Sequence, residues 1–537
     1  MKRREFFKSV GLGVASVAIA RPEALVSGQE STRRPNILFI MTDDHASHAI
    51  SCYGSRLNKT PNMDRIAREG IRFERCFCTN GICAPSRAVI LTGKYSHANG
   101  IRDNAHAFDG GQPTFPKVLQ KSGYETALIG KWHLQSEPTG FNHWNILPGQ
   151  GEYYNPDLIE MGEKKRVPGY VTDILTDRAL DFLEKRRPKD KPFLLLLHHK
   201  APHRNWQPSP RHLKMYDDVT FPEPETLFDD YATRSPAARE QEMTIKEHMD
   251  PDSDLKMGPP PARMTEEQKA LWEGAYVPKR EAFKRAQPQG DALVRWKYQR
   301  YMQDYLACIA GVDEGIGKIL DYLDTSGLSK NTLVVYASDQ GFFLGDHGWF
   351  DKRFMYEESL RMPLLMRLPG VIKPGGSSQD LICNLDFAPT FLELAGISKP
   401  AEMQGEALAD ILKTRKAKEA RNALYYHFYE YPAVHMVKRH YGIRTDRYKL
   451  MHFYYDIDAW ELYDLEKDPH ELKNVYGDPA YAEVLKNITA ELRRLQHSYG
   501  DSDELAQRFL KADLDEQRKN RSSSFEQKSP SRPLTSD

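Results

Sequence analysis

The 537-residue chain has no surplus of charge: 75 basic side chains are balanced by 75 acidic ones. That balance gives no electrostatic footprint for nucleic acid or a membrane surface. Any anionic ligand must therefore be held by local geometry. Cysteine is scarce, with six residues at 52, 76, 78, 83, 308 and 383, and none forms the paired C-x-x-C units of strong zinc sites. Long apolar runs are missing too. The stretch within "MKRREFFKSVGLGVASVAIA" is too short for a comfortable transmembrane span. No cysteine precedes Cys52, which disfavours a lipid-anchored lipoprotein. There is no internal repeat. The last stretch, "RKNRSSSFEQKSPSRPLTSD", is almost without apolar residues, so residues 501–537 are expected to be a disordered tail.

What remains fits a soluble globular protein with one large domain and a smaller one. The basic start, Arg3-Arg4 ahead of Phe6-Phe7-Lys8, and the small-residue end at Ala18-Ile19-Ala20 resemble a bacterial twin-arginine export signal. Residues 1–30 are assigned to that signal and its linker, and the product is expected to be periplasmic or secreted, with no membrane anchor. Export permits disulfides, and Cys52, Cys76 and Cys78 could supply one.

Four apolar runs stop abruptly at polar residues: "NILFIMTDDH", "YETALIGKWH", "FLLLLHHKAPH" and "TLVVYASDQG". Their length and lack of alternation predict strands buried on both faces. Helical spacing lies between them, over Thr172 to Arg186 and from Tyr298 through Tyr305 to Ile316. Strands alternating with helices imply an α/β fold with a mostly parallel sheet, whose ligands bind beyond the carboxyl ends of the strands. Residues 31–384 form the expected catalytic domain. Within it, residues 205–290 are rich in proline and charge and read as a surface insertion, either passive or a rim for substrate. Residues 385–500 read as a C-terminal α+β subdomain of antiparallel strands, a turn at Asp468-Pro469 and a helix.

"NGICAPSRAVILTG", residues 80–93, leaves three readings of Cys83 open. It is a buried thiol, or a zinc ligand with Cys76 and Cys78, or a catalytic precursor. Pro85 suits the first turn of a helix and Gly93 its end. Cys83 then sits at a helix N-terminus, where exposed N–H groups favour an anion. Arg87, one turn on, can present a planar cation to the same spot.

Cys83-Ala84-Pro85-Ser86-Arg87 with Leu91-Thr92-Gly93 resembles the C-x-P-S-R-x-x-x-L-T-G signature of type I sulfatases. Family-like segments run from about residue 34 to 475. The resemblance implies an alkaline-phosphatase-like α/β fold and oxidation of Cys83 to Cα-formylglycine by a formylglycine-generating enzyme. The aldehyde hydrates to a diol. One hydroxyl attacks sulfur, and the other later expels sulfate by reforming the aldehyde. The resemblance also implies a divalent cation, commonly calcium with magnesium as the alternative, held by Asp43, Asp44, Asp339, Gln340 and position 83. Many members carry Asn or His where this chain has Gln340.

By the same resemblance, Lys131 and Lys352 contact sulfate, and Arg87 braces the diol and metal ligands. His133 takes the diol proton during sulfate release, and His203 is the general acid for the leaving alcohol. His198 and His199 serve packing or the pocket wall. "MTDDHASHAISCYG" and "GDHGWFDKRFMYEESLRMPLLMRLPG" are most similar to the N-acetylglucosamine-6-sulfatase-like branch. The implied substrate is a sulfated carbohydrate, namely a 6-O-sulfate, with His45, His347 and Arg353 as candidate sugar contacts. Other sulfated sugars, aryl sulfates and phosphoesters remain the alternatives, with a glycan-binding protein that has lost catalysis as the non-enzymatic one.

Overall fold

Leu194, Leu195, Leu196 and Leu197 are all fully buried, because both faces of their strand are covered. In the computed structural model, which describes residues 34–417 and 419–526, such runs form the middle of one large sheet. The expected export signal lies outside the described residues.

The strands in chain order are β1 (Asn36–Thr42), β2 (Ile71–Phe77), β3 (Glu125–Lys131), β4 (His143–Leu147), β5 (Asp157–Glu160), β6 (Glu163–Arg166), β7 (Phe193–His198) and β8 (Thr332–Ser338). They continue with β9 (Phe343–Leu344), β10 (Phe350–Asp351), β11 (Arg361–Arg367), β12 (Gly376–Ser378) and β13 (Ile382–Cys383). The sheet runs β12-β2-β11-β8-β1-β7-β3-β4-β5-β6, with β13 also on β2 and β9-β10 a separate hairpin. Its centre, β8-β1-β7-β3-β4, is wholly parallel. Leu38 lies opposite both Leu195 and Val334, so the register places the carboxyl ends of these strands together.

Successive residues of β1 point to opposite faces, as strand geometry requires. Ile37, Phe39 and Met41 join the hydrophobic cluster containing the helix Cys83–Thr92. Leu38 and Ile40 join the cluster containing the helices Val171–Asp181 and Asp291–Thr325. Burying each such side chain stabilises the fold by about 2 kcal/mol. Tyr298, Tyr301, Met302, Tyr305, Ile309, Val312 and Ile316 are all buried along the 35-residue helix Asp291–Thr325, matching their helical spacing.

The C-terminal region is an antiparallel sheet, β14 (Ala423–Phe428), β15 (His440–Thr445), β16 (Tyr448–Phe453) and β17 (Ala459–Asp464), followed by the helix Ala482–Tyr499. Its core side chains belong to the same hydrophobic cluster as Phe39 and Ala84, so no break in packing separates it from the large sheet.

Three expectations are corrected. Residues 205–290 are more than a surface insertion: Trp206, Met243, Ile245 and Trp272 are buried, and Glu266–Ala286 is a 21-residue helix with a capping box at Thr265 and Gln268. The tail expected to be disordered contains the helix Asp503–Glu526, fixed by buried Ala506 and Leu510 and by ion pairs of Asp513. Finally, all six cysteines are free thiols, and five are buried. Cys76 and Cys78 lie within the core cluster, leaving neither a disulfide nor a zinc site with Cys83.

Candidate active site

The helix Cys83–Thr92 is wholly buried. It starts after Ile82 in extended conformation, with no side-chain cap from Ile82 itself. A tertiary contact supplies one instead: the Ala84 N–H donates to Asn104 Oδ1 at 3.0 Å. Pro85 sits in the first turn. Gly93, at φ +62°, ends the helix in the left-handed region and donates its N–H to the Val89 carbonyl at 2.8 Å. Cys83 is thus held rigidly at a helix N-terminus. Its Sγ lies 3.3 Å from Asp43 Oδ1, and burial first, then the Asp43 charge, push the thiol pKa up. An unmodified thiol here is therefore a poor nucleophile.

The strand ends converge around it. Asp43 and Asp44 follow β1, Lys131 ends β3, and Asp339 and Gln340 follow β8. Arg87 donates Nε and Nη2 to Asp339 Oδ2 at 3.1 and 2.9 Å, and Nη1 to the Lys131 carbonyl at 2.9 Å. Lys131 Nζ bonds Asp43 Oδ2 and Gln150 Oε1. Lys352 Nζ donates to Asp44 Oδ2 at 2.7 Å. His203 Nε2 stands 3.8 Å from that same oxygen, while its Nδ1 is 2.7 Å from the Arg204 carbonyl. His133 adopts φ +57° at the turn after β3 and has an unpaired, buried Nδ1.

Asp43, Asp44 and Asp339 place three carboxylate oxygens within 4.8 Å of one another, and all three residues are fully buried. Burial pushes Asp44 up to about 7, against Lys352 and with help from Asp43 and Asp339. Burial likewise pushes Asp339 up to about 6. Asp43 is also desolvated, but Lys131, His203, Arg87 and Lys352 hold it well below the usual carboxylate range. Gln340 donates Nε2 to Asp44 Oδ1 at 2.5 Å and leaves its buried Oε1 without a partner. Crowded carboxylates beside an orphaned amide oxygen are a donor set made only of oxygen, which fits a hard divalent cation.

Burial favours the neutral ring in both His133 and His203. Burial and Lys131 lower His133 to about 2, and burial lowers His203 well below its ordinary value despite Asp43. His198 lies against the Lys131 carbonyl, 3.3 Å from Nδ1, and His199 is buried with both ring nitrogens unpaired.

The three candidate sugar contacts separate. Arg353 is 5% exposed and joins Asp351 at 3.1 Å to Glu430 at 3.4 Å. His45 and His347 are corrected: each is 0% exposed. His45 Nδ1 lies 2.5 Å from the Tyr336 hydroxyl, and His347 is locked between Asp229 and Glu358 at 3.0 and 3.7 Å. Neither presents a ring to a ligand.

Sequence reasoning did not find Asn104, Gln150 or Asn384. Asn384 Nδ2 donates to Ser86 Oγ at 2.9 Å, and Ser86 Oγ in turn donates to the Asp339 carbonyl. Ser86 lies inside the motif, so a polar side chain in an otherwise apolar turn was a visible signal. Asn104 and Gln150 are single polar residues in loops, with no spacing to mark them.

This arrangement agrees with comparisons to known proteins. Residues 35–397 match the Sulfatase family, and residues 345–498 match the C-terminal family of N-sulphoglucosamine sulphohydrolase. The chain is 52% identical over 494 residues to an N-acetylglucosamine-6-O-sulfatase of Bacteroides thetaiotaomicron, covering 88% of each chain. It is 28% identical to human N-acetylglucosamine-6-sulfatase over 411 residues, 71% of this chain and 65% of the human one. A solved structure of a protein in complex with its substrate D-glucosamine-2-N,6-O-disulfate superposes with a TM-score of 0.86 at 52% identity, covering 88% of this chain and 99% of that one. The chain belongs to the sulfatase family of sulfuric ester hydrolases.

Proposed function

We propose that this sulfatase removes the 6-O-sulfate of a glucosamine-type sugar, using Cys83 matured to Cα-formylglycine and one divalent cation. One observation carries the reading. Asp43, Asp44, Cys83, Arg87, Lys131, His133, His203, Asp339, Gln340 and Lys352 gather at the carboxyl ends of parallel strands, in a chain 52% identical to a named 6-O-sulfatase.

Asp43, Asp44, Asp339 and Gln340 would hold the cation, with position 83 beside them; calcium is the first choice for four oxygens of this kind. When bound, the cation neutralises the carboxylates and polarises a sulfate oxygen. The formylglycine diol supplies a nucleophile at position 83 that releases sulfate without hydrolysis of a stable ester.

The chain's own residues do the rest. Asp339 and the Lys131 carbonyl fix the plane of Arg87, which orients position 83. Lys131 and Lys352 provide preorganised positive charge where negative charge develops on the sulfuryl oxygens. His133 accepts the proton of the position-83 hydroxyl. The His203 Nδ1–H donates to the Arg204 carbonyl, so Nε2 is the atom that carries a proton to the leaving oxygen. A bound anionic ester raises the proton affinity of that nitrogen.

The remaining parts of the reading concern where and how the protein is made. The twin-arginine-like start sends it to the periplasm or outside the cell, and a formylglycine-generating enzyme acts on Cys83 during maturation. Among the described residues no helix is long and apolar enough to cross a membrane.

The test is a panel of defined sulfated saccharides with sulfate release resolved by position, run beside matched phosphate esters. Preferential loss of 6-O-sulfate from glucosamine is expected. Release from another position, or faster phosphate release, would contradict the reading.

A further inference from the structure

The helix Asp503–Glu526 lies beyond both family matches, which end at residues 397 and 498. It nevertheless connects to the wall of the active site through two arginines. Asp513, 5% exposed, stands between two guanidinium groups. It accepts from Arg102 Nη2 at 2.7 Å through Oδ1 and from Arg439 Nη2 at 3.0 Å through Oδ2. Arg102 also lies over the ring of Phe509, one helical turn before Asp513, at 4.2 Å.

Each arginine leads back to the same place. Arg102 begins the loop that carries Asn104, and its own carbonyl accepts from Asn80 Nδ2 at 3.2 Å. Asn104 caps the Cys83 helix through the Ala84 N–H. Arg439, 1% exposed, donates Nε to the Tyr431 carbonyl at 2.9 Å, next to Glu430. Glu430 Oε2 accepts the Asn104 N–H at 3.4 Å, and its Oε1 accepts from Arg353 at 3.4 Å. The contacts close a ring in which Asp513 is the point farthest from the site and the Asn104–Glu430 pair the nearest. Half-exposed Asn104 and nearly buried Arg353 form the rim beside position 83.

We infer that the C-terminal helix is a positioning element of this active site. Asp513 is a positioning residue that acts through Arg102 and Arg439 to hold the Asn104–Glu430–Arg353 rim against the sugar. The inference rests on the sugar-sulfate reading above. Paired guanidinium–carboxylate contacts that are this buried have one preferred geometry, so removing the carboxylate takes away the partner both arginines share, leaving Arg102 with His106 and Phe509 and Arg439 with the Tyr431 carbonyl, and loosens both sides of the rim. The ring meets the sulfuryl machinery at its near end, through Asn104 on the Ala84 N–H, whereas Asp513 itself bonds Arg102 and Arg439 and not the strand-end residues. The effect should therefore fall on saccharide binding rather than on the chemical step.

The test uses the full-length, matured protein with Asp513→Ala, Asp513→Asn and Phe509→Ala. The last leaves the ion pairs in place and remains informative if the first unfolds. Melting temperatures establish folding. KM and kcat are then measured on glucosamine 6-sulfate and on an activated aryl sulfate. The expected result is a tenfold or larger rise in KM for the saccharide with Asp513→Ala, and smaller rises for Asp513→Asn and Phe509→Ala. Aryl sulfate turnover should change by less than threefold. A saccharide KM within twofold of wild type in folded variants would overturn the inference, as would equal losses on both substrates. Failure of the underlying reading shows differently: the wild-type protein itself would not turn over the saccharide.

Discussion

Gln340 places its Nε2 2.5 Å from Asp44 Oδ1 and keeps its own Oε1 buried and unpaired. An amide held by one end, with its acceptor free beside three carboxylates, is built to complete an oxygen cage. Gln340→Leu keeps the bulk and removes that oxygen. Calcium affinity is expected to fall about 10- to 100-fold, a loss of the size seen when metal-site partners are removed. Titration calorimetry of the chelator-stripped protein measures it. Because ligand binding stabilises by mass action, saturating calcium should also raise the melting temperature of the wild type more than that of the variant. Equal calcium affinity in both would remove Gln340 from the metal set.

His203→Ala should separate substrates by leaving group. Proton transfer to a poor alkoxide contributes about 10²- to 10⁴-fold, so saccharide turnover is expected to fall by that factor. An activated aryl sulfate leaves without a proton and should lose less than tenfold. Comparison of kcat/KM on the two esters checks this. Equal losses would take the acid role from His203.

His347, set aside as a sugar contact, gives a pH dependence of stability instead. Burial favours its neutral ring, but Asp229 at 3.0 Å and Glu358 outweigh burial and raise its pKa to about 9. A folded-state pKa above the unfolded value of about 6.5 means the folded state binds the proton more tightly. The stabilisation, up to about 3 kcal/mol, is complete below about pH 6.5 and disappears as pH rises through 9. Melting temperatures of wild type and His347→Gln from pH 6 to 10 should converge at the alkaline end. A gap independent of pH would contradict the pairing.

Much of this was legible in the sequence because burial on both faces leaves a distinctive trace. "FLLLLH" and "NILFIMT" read as central strands of a covered sheet, and the polar residues that end them then lie at one edge. The Cys83 motif places the expected nucleophile at that edge. What was not legible depended on partners distant in sequence. Asp513 reads as one acid in a charged tail until Arg102 and Arg439 are seen on either side of it. His45 and His347 resemble site residues by their nearness to Asp44 and Lys352 along the chain, yet strand and turn geometry turns both rings inward. Residues 205–290 hid Trp206 and Trp272 among prolines and charges, where no period announces a core.

Cys83→Ala tests the covalent scheme from the genetic side. The helix around it is fixed by Pro85, Gly93 and the Asn104 contact, none of which the substitution removes. The variant should fold with a melting temperature near that of wild type and show sulfate release at background. Circular dichroism together with a sulfate-release assay checks both halves. Normal turnover would eliminate position 83 as the nucleophile.

The most direct measurement is the chemical identity of residue 83 in fully active protein. Peptide mass analysis of the segment containing Cys83, combined with labelling by a carbonyl-reactive probe, should show an aldehyde at that position in proportion to specific activity. An intact cysteine thiol at position 83 in material of full activity would contradict the account.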